Sequence, residues 1–117
     1  MPLLQIYSSA KPGSDAERSQ LMATLSSKLA QELGKPERYV MVGIAPRLDM
    51  SFAGSREPAC YAELKNVGRL KKEQVEHLSS LLCTTLSSGL GVAHDRIYIE
   101  FTNAEGALWG FDGGTFG

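Results

Sequence analysis

The sequence has few cysteines and no cysteine motif. Its two cysteines, Cys60 and Cys83, are far apart, so the chain lacks the C-x-x-C pair typical of zinc sites and dithiol redox centres. Neither histidine, His77 nor His94, has neighbours in the sequence that suggest a metal site. We therefore expect no metal and no cofactor, and two unpaired thiols suit a reducing compartment.

Long apolar segments and clusters of like charge are also missing. No apolar run approaches the ~20 residues that a membrane-spanning helix needs, and no charged leader precedes an apolar block. The longest basic run is Lys71-Lys72, and the net charge is −1 at pH 7. These features argue against binding to nucleic acid or to a membrane surface. We expect a cytoplasmic protein, and export without a signal peptide stays an alternative.

Two amphipathic helices are predicted, and the second repeats the first. The first runs from about Ser14 to Leu33, with a capping-box signal at Ser14 and Glu17. Gly34, followed by Pro36, predicts its end. Adding 57 to the positions Leu21, Leu25, Leu29, Leu33 and Gly34 reaches Leu78, Leu82, Leu86, Leu90 and Gly91.

Four predicted strands flank these helices. "PLLQIYSS" and "RYVMVGIA" bracket the first helix, and "CYAELKN" and "RIYIEFT" bracket the second. The chain is therefore predicted to be one α+β domain, 1–117, with two β-α-β pseudo-repeats at about 2–46 and 59–102 and a C-terminal tail at 103–117. We expect parallel strand pairs in one four-stranded sheet. The second strand is apolar on both faces, which predicts a central position.

Part of this fold is left uncovered. Two helices cover only one face of a four-stranded sheet, and the other face carries Leu3 and Tyr7 or their alternates. Self-association is the simplest way to cover that face. The tail segment "WGFDGGTFG" has three aromatic residues, which predict that it docks on a neighbouring subunit.

Proline at position 2 opens the first strand, although it has no N–H to donate to a sheet. One interpretation is an ordinary strand-edge residue, which can lack a donor at little cost. The other is a catalytic base, because removal of Met1 leaves a secondary amine whose pKa falls among apolar groups and beside a lysine. A crossover helix runs antiparallel to its strands, so Lys35 and Tyr39 return to the Pro2 end. If the second unit is antiparallel to the first, residues 66–68 arrive there too, and the group suits proton transfer α to a carbonyl.

Seven stretches of the sequence, in order and over essentially the whole chain, resemble one known family. They are "MPLLQIY", "GKPERYVMV", "MSFAGSREP", "LKNVG", "LLCTTL", "DRIYIEF" and "GGTFG". Together they resemble the macrophage migration inhibitory factor family of the tautomerase superfamily. The resemblance implies a homotrimer whose sheets enclose a barrel-like centre, with sites at the subunit interfaces. It also implies an enzyme that interconverts enol and keto forms of phenylpyruvate-like α-keto acids.

The resemblance assigns roles to individual residues. Pro2, after loss of Met1, is the acid–base, and Lys35 binds the substrate carboxylate. Val67 contributes its backbone to the site, and Tyr98 comes from the neighbouring subunit. The residues that match the lining of the ring pocket are Tyr39, Trp109, Phe111 and Phe116.

Three residues depart from the mammalian pattern of the family. Glu100 stands at a substrate-binding position where the mammalian protein has asparagine, and a second acid there raises the pKa of Pro2 or repels anionic substrates. Cys60 has no partner at C-x-x-C spacing, so we expect no thiol-oxidoreductase activity. Arg47 replaces an acidic residue linked to receptor recognition, so a protein receptor does not follow from the resemblance.

Three functional hypotheses stay open on the sequence. The first is a trimeric tautomerase acting on a small enol or keto acid. The second is a cytokine-like or protein-interaction factor in which tautomerisation is vestigial. The third is a ferredoxin-like trimer that binds a small ligand without converting it, which retention of Met1 on Pro2 favours.

Overall fold

The computed structural model describes all 117 residues as a four-stranded sheet, two long helices and a small hairpin. The sheet strands are β1 (Leu3–Ser8), β2 (Met41–Ile44), β3 (Cys60–Val67) and β4 (Ile97–Ala104). The helices are α1 (Asp15–Leu33) and α2 (Lys72–Leu90), and the hairpin pairs β5 (Gly110–Phe111) with β6 (Gly114–Thr115). Single 3-10 turns cover Glu37–Tyr39, His94–Arg96 and Gly106–Leu108. The α+β class is confirmed.

The sheet has the strand order β2-β1-β3-β4. β1 is parallel to β2 and β3 is parallel to β4, so each β-α-β unit contains one parallel pair. β1 and β3 pair antiparallel, which joins the two units in opposite directions. The predicted pseudo-repeat and its antiparallel arrangement are confirmed. β4 extends to Ala104, two residues into the segment that was predicted as tail.

The predicted central position of β2 is wrong, because β2 is an edge strand. β1 and β3 pair with each other and occupy both central positions, which leaves β2 with one free edge. Val42 and Ile44 of β2 pack against the core, as their spacing predicts, whereas Met41 on the opposite face is 67% exposed. The apolar second face of β2 is therefore not buried within this chain.

The helix ends follow the local signals in the sequence. The Glu17 N–H donates to Ser14 Oγ and the Ser14 N–H donates to Glu17 Oε1, each with a donor–acceptor distance of 3.1 Å. These two bonds complete the predicted capping box. Gly34 and Gly91 end the two helices in the left-handed conformation, with φ of 62° and 69°. Glycine adopts this conformation without steric cost, so both stops lie where the repeat predicts them.

One apolar layer lies between the helices and one face of the sheet. The residues of this layer with no exposed surface are Leu4, Ile6, Ala62 and Leu64 from the strands and Leu25, Leu29, Leu78, Leu82 and Leu86 from the helices. Alternate strand residues point to the same face of a sheet, so both helices cover that one face, as predicted. Burying each leucine contributes about 1.5–3 kcal/mol. Leu3 and Tyr7 lie on the opposite face, which no helix covers.

The two helices also contact each other, near an approximate twofold axis that relates the two repeats. Lys28 Nζ donates to Thr85 Oγ1 over 3.3 Å, and these two positions are 57 residues apart, which is the repeat length. Further along, Glu32 Oε2 lies 3.1 Å from His77 Nε2. No helix is both long and apolar enough to cross a membrane.

Truncation of a repeated core leucine is expected to destabilise the protein strongly. Leu25→Ala and Leu82→Ala each remove a side chain with no exposed surface from the same layer, so each should lower the free energy of unfolding by about 2–5 kcal/mol. Urea denaturation at a fixed protomer concentration measures the change. Leu108→Ala, at a side chain that is 80% exposed, is the control and should change it by about 0.5 kcal/mol or less. Equal effects at Leu82 and Leu108 would contradict the described core.

Candidate active site

The start of β1 forms the floor of a pocket with a volume of about 210 Å³. Pro2 is fully buried there, and its carbonyl accepts a hydrogen bond of 3.0 Å from the Met41 N–H, which begins the pairing of β1 with β2. Eight of the eleven residues that line the pocket are hydrophobic. Pro2 thus directly precedes the first residue of β1 and is also part of a concave, largely apolar surface.

Aromatic side chains form the wall opposite Pro2. The Tyr39 ring lies edge-on to Phe111 and Phe116, with centroids 5.4 and 5.8 Å away. Phe111 and Phe116 stack on each other at 5.2 Å, and Trp109 completes this side of the pocket. Such pairs contribute about 0.5–1.5 kcal/mol each beyond area burial. The four residues predicted to line a ring pocket do lie together.

The tail docks on its own chain, and its predicted contact with a neighbouring subunit stays a prediction. The β5–β6 hairpin reverses the chain, and the Phe116 N–H then donates to the Gly106 carbonyl over 3.1 Å. A Cβ on Gly106 would lie 2.9 Å from the Phe116 carbonyl oxygen, so only glycine allows this approach. The turn therefore delivers Phe111 and Phe116 to Tyr39 of the same protomer.

Lys35 lies at the same end of the sheet, directly after the Gly34 cap of α1. Its Nζ donates one hydrogen bond of 2.8 Å to Asn66 Oδ1 and another of 2.6 Å to the Val67 carbonyl oxygen. An ammonium group has three N–H donors, so one remains free for a ligand. Burial lowers the pKa of Lys35. The crossover helix and the end of β3 thus meet as the topology predicts.

Burial and Lys35 change the pKa of the α-amino group at the start of the chain. Burial lowers the pKa of the Met1 α-amino group from its usual value of 8.0, and the positive charge of Lys35 lowers it further. Both effects disfavour a second positive charge at the chain start. The N-terminus and Lys35 are therefore close enough to interact electrostatically.

Four predicted site residues do not line the pocket of their own protomer. Lys35 and Val67 are hydrogen-bonded to each other near it, and Tyr98 and Glu100 lie farther away. Tyr98 pairs in register with Tyr61, which pairs with Tyr7, so Tyr98 lies at the opposite end of the sheet from Pro2. It is 65% exposed and its ring centroid is 4.9 Å from that of Phe52. Glu100 lies on the face of the sheet that the helices leave open, where its carboxylate accepts a hydrogen bond from the Thr102 hydroxyl.

Two residues at the site were not predicted from the sequence. Asn66 is only 3% exposed and holds the Lys35 ammonium. Arg38 lines the pocket, and its guanidinium carbon lies 4.7 Å from the centroid of the Tyr39 ring. Two signals in the sequence could have indicated these residues. Arg38 is adjacent to Tyr39, and residues 66–68 were expected at this end of the sheet.

The cysteines take no part in this site. Cys60 is 2% exposed, and burial, followed by the nearby Cys83, raises the pKa of its thiol to about 12. A thiol in this state is almost entirely protonated near neutral pH and is a poor nucleophile. No group of three or more His, Cys, Asp or Glu side chains is arranged to hold a metal ion. The pocket is instead an apolar, aromatic cleft, and the Lys35 ammonium with its free N–H lies at the same end of the sheet.

Known proteins with similar sequences cover most or all of this chain. The model of the family "Macrophage migration inhibitory factor (MIF)" matches residues 1–117. The macrophage migration inhibitory factor of Meriones unguiculatus is 36% identical over 96 residues, which are 82% of this chain and 84% of the relative. A homolog from Trichuris trichiura is 34% identical over 116 residues, which are 99% of this chain and 100% of the relative.

Solved structures agree with the sequence comparison. The crystal structure of a macrophage migration inhibitory factor homologue from Prochlorococcus marinus is 43% identical, with a TM-score of 0.91 over 98% of this chain and 99% of that one. The Toxoplasma gondii factor is 28% identical, with a TM-score of 0.91 over 97% and 99%. The resemblance carried by the sequence motifs is thereby confirmed, and the chain belongs to the macrophage migration inhibitory factor family.

Proposed function

We propose that this protein is a keto–enol tautomerase that acts on phenylpyruvate-like α-keto acids, with the Pro2 amine as acid–base after removal of Met1. One observation carries the proposal: the first residues of the chain floor an aromatic pocket beside Lys35. The small side chain of Pro2 favours removal of Met1. Without that removal the Pro2 nitrogen is an amide and accepts no proton.

The proposed reaction uses the Pro2 amine, Lys35 and the aromatic residues of the pocket. Burial and Lys35 lower the pKa of the Met1 amine, and the same surroundings are expected to lower the pKa of the Pro2 amine, which raises its neutral fraction. A neutral amine takes the proton from the enol oxygen and delivers it to the other carbon of the enol double bond, next to the new carbonyl carbon, which yields the keto form. The free N–H of Lys35 binds the carboxylate, and the ring lies among Tyr39, Phe111 and Phe116.

We also propose that the working unit is a homotrimer. The pocket of about 210 Å³ is smaller than most complete ligand sites, which exceed ~300 Å³. Met41 and Tyr98 expose 67% and 65% of their surface, and β2 has a free edge. Association through these surfaces buries them and brings Tyr98 and Glu100 of one subunit toward the Pro2 pocket of the next.

Replacement of Pro2 by glycine tests the proposed base. Pro2→Gly keeps a small N-terminal residue, so Met1 is still removed, but it loses the secondary amine and its rigid ring. We expect kcat/KM to fall about 10²-fold or more, measured as the absorbance change on ketonisation of enol phenylpyruvate. The N-terminal mass is determined in the same sample, and Leu108→Ala is the surface control. Full-rate turnover by a Met1-free variant would contradict the role of Pro2, and no turnover by the Met1-free parent would favour a binding module.

The pH dependence tests the coupling of the amine to Lys35. Only the neutral amine accepts a proton, so kcat/KM should fall at low pH, with its midpoint below the usual amine pKa of 8.0. Lys35→Gln removes a positive charge that lowers this pKa, so the midpoint should move to higher pH. The same variant should raise KM about tenfold, because the carboxylate loses a charged donor. Arg56→Gln, on an exposed loop, controls for net charge, and a midpoint that stays in place in Lys35→Gln would contradict the coupling.

Mixing two inactive variants tests the contribution of a neighbouring subunit. Pro2→Gly and Tyr98→Ala are each expected to have low activity as pure proteins. In randomly mixed trimers, about one quarter of the sites combine a native Pro2 with a native Tyr98 from the next subunit. Co-expression should therefore restore activity that neither variant has alone. Absence of restoration would contradict a contribution of Tyr98 from a neighbouring subunit, and full activity of Tyr98→Ala would remove it from the site.

A further inference from the structure

A second concavity lies at the opposite end of the sheet from Pro2 and has a volume of about 420 Å³. It forms where β1 and β2 end and α1 begins, between the segments Ser8–Gly13 and Ile44–Arg47. Its size falls within the ~300–1,000 Å³ typical of small-molecule sites. It shares no residue with the Pro2 pocket, so it is a separate feature of the protein.

The lining of this hollow is basic. Lys11, Arg18 and Arg47 contribute three positive charges, and none of the eleven lining residues is acidic. The nearest carboxylate in an ion pair is Asp15, whose oxygen lies 3.6 Å from Arg18 but whose side chain is 96% exposed. An ion pair this exposed contributes little and is readily exchanged for another anion. Lys11 and Arg47 form no ion pair at all.

Arg18 is engaged by the Gly13 carbonyl and by Asp15, whereas Arg47 keeps unused donors in the hollow. Arg47 Nε donates to the Ser9 carbonyl over 2.8 Å, which fixes the guanidinium and leaves its two terminal nitrogens without a protein partner. The backbone N–H groups of Lys11, Gly13 and Arg47 also donate to no acceptor in the protein. An oriented guanidinium with free terminal nitrogens matches the oxygens of a phosphate group.

The repeat supplies an internal comparison. Adding 57 to Ala10, Lys11 and Arg47 reaches Val67, Gly68 and Ala104, which line the equivalent hollow of the second unit. That hollow, of about 630 Å³, has one cation, Arg69, and one acid, Glu105. The concentration of positive charge is therefore a property of the first hollow and does not follow from the shape that the two units share.

We propose that this hollow binds a small organic phosphate. The dianionic head lies among Lys11, Arg18 and Arg47, where three cations balance two negative charges better than they balance the single charge of a carboxylate. The body of the ligand lies on the apolar wall formed by Ile44 and Leu90. The site depends on neither Pro2 nor Lys35, so it can hold or fail independently of the proposed tautomerase activity.

Titration of the full-length, assembled protein with phenyl phosphate tests the proposal. Amide NMR shifts and calorimetry are recorded at constant ionic strength, with sodium chloride as the reference salt. We expect saturable shifts at Lys11, Gly13 and Arg47. Arg47→Gln and Lys11→Gln should each weaken binding about tenfold, because each removes a charged donor. Arg69→Gln, in the equivalent hollow, is the matched control and should change the affinity for phenyl phosphate less than twofold. Arg47→Gln should leave the tautomerase activity unchanged.

Several results would overturn the site or part of it. Amide shifts that do not saturate, or an affinity that falls equally in Arg69→Gln, would mean that phosphate is attracted only by the net charge of the protein and has no specific site. Saturable shifts around Tyr39 and Trp109 that disappear in Lys35→Gln would mean that it binds in the Pro2 pocket. Inorganic phosphate is titrated in parallel and should bind more weakly than phenyl phosphate. Equal affinities would overturn the role of the apolar wall.

Discussion

The structure depends on the burial of one leucine-rich layer between two helices and one face of the sheet. Leu25 and Leu82, which the repeat relates, both lie in this layer without exposed surface. Because strand side chains alternate between faces, burying this face commits the other to solvent or to another subunit. The same requirement holds the two β-α-β units together, since neither helix alone covers the central pair of strands.

The candidate active site follows from this packing through topology. A helix that crosses between parallel strands must end where they begin, so the residue after its Gly34 cap arrives beside the chain start. The antiparallel pairing of β1 and β3 brings the end of β3 to the same place, where Asn66 and Val67 hold Lys35. The N-terminal amine and a lysine therefore meet in partly dehydrated surroundings, which lower the pKa of both groups.

The opposite end of the first unit carries a different kind of chemistry. Lys11, Arg18 and Arg47 come from separate segments, and only the ends of β1 and β2 bring them to one hollow. The two ends of one unit thus carry two separate groups of positively charged side chains in different surroundings. Lys35 lies near an aromatic pocket, whereas the basic hollow has an aliphatic wall formed by Ile44 and Leu90.

The sequence alone determined the bounds of α1, the pairing of Ser14 with Glu17, the glycine stops and the 57-residue repeat. Each of these rests on contacts within a few turns of chain or on simple periodicity. It also indicated that Pro2, Lys35 and Tyr39 share one end of the sheet. Only the tertiary structure decided that β2 is an edge strand and that the tail folds back on Tyr39 of its own chain. It alone revealed Arg38 in the pocket, the hydrogen bond between Asn66 and Lys35, and the basic hollow. These features depend on which strands pair and how the hairpin turns, and a local pattern carries no information about partners distant in sequence.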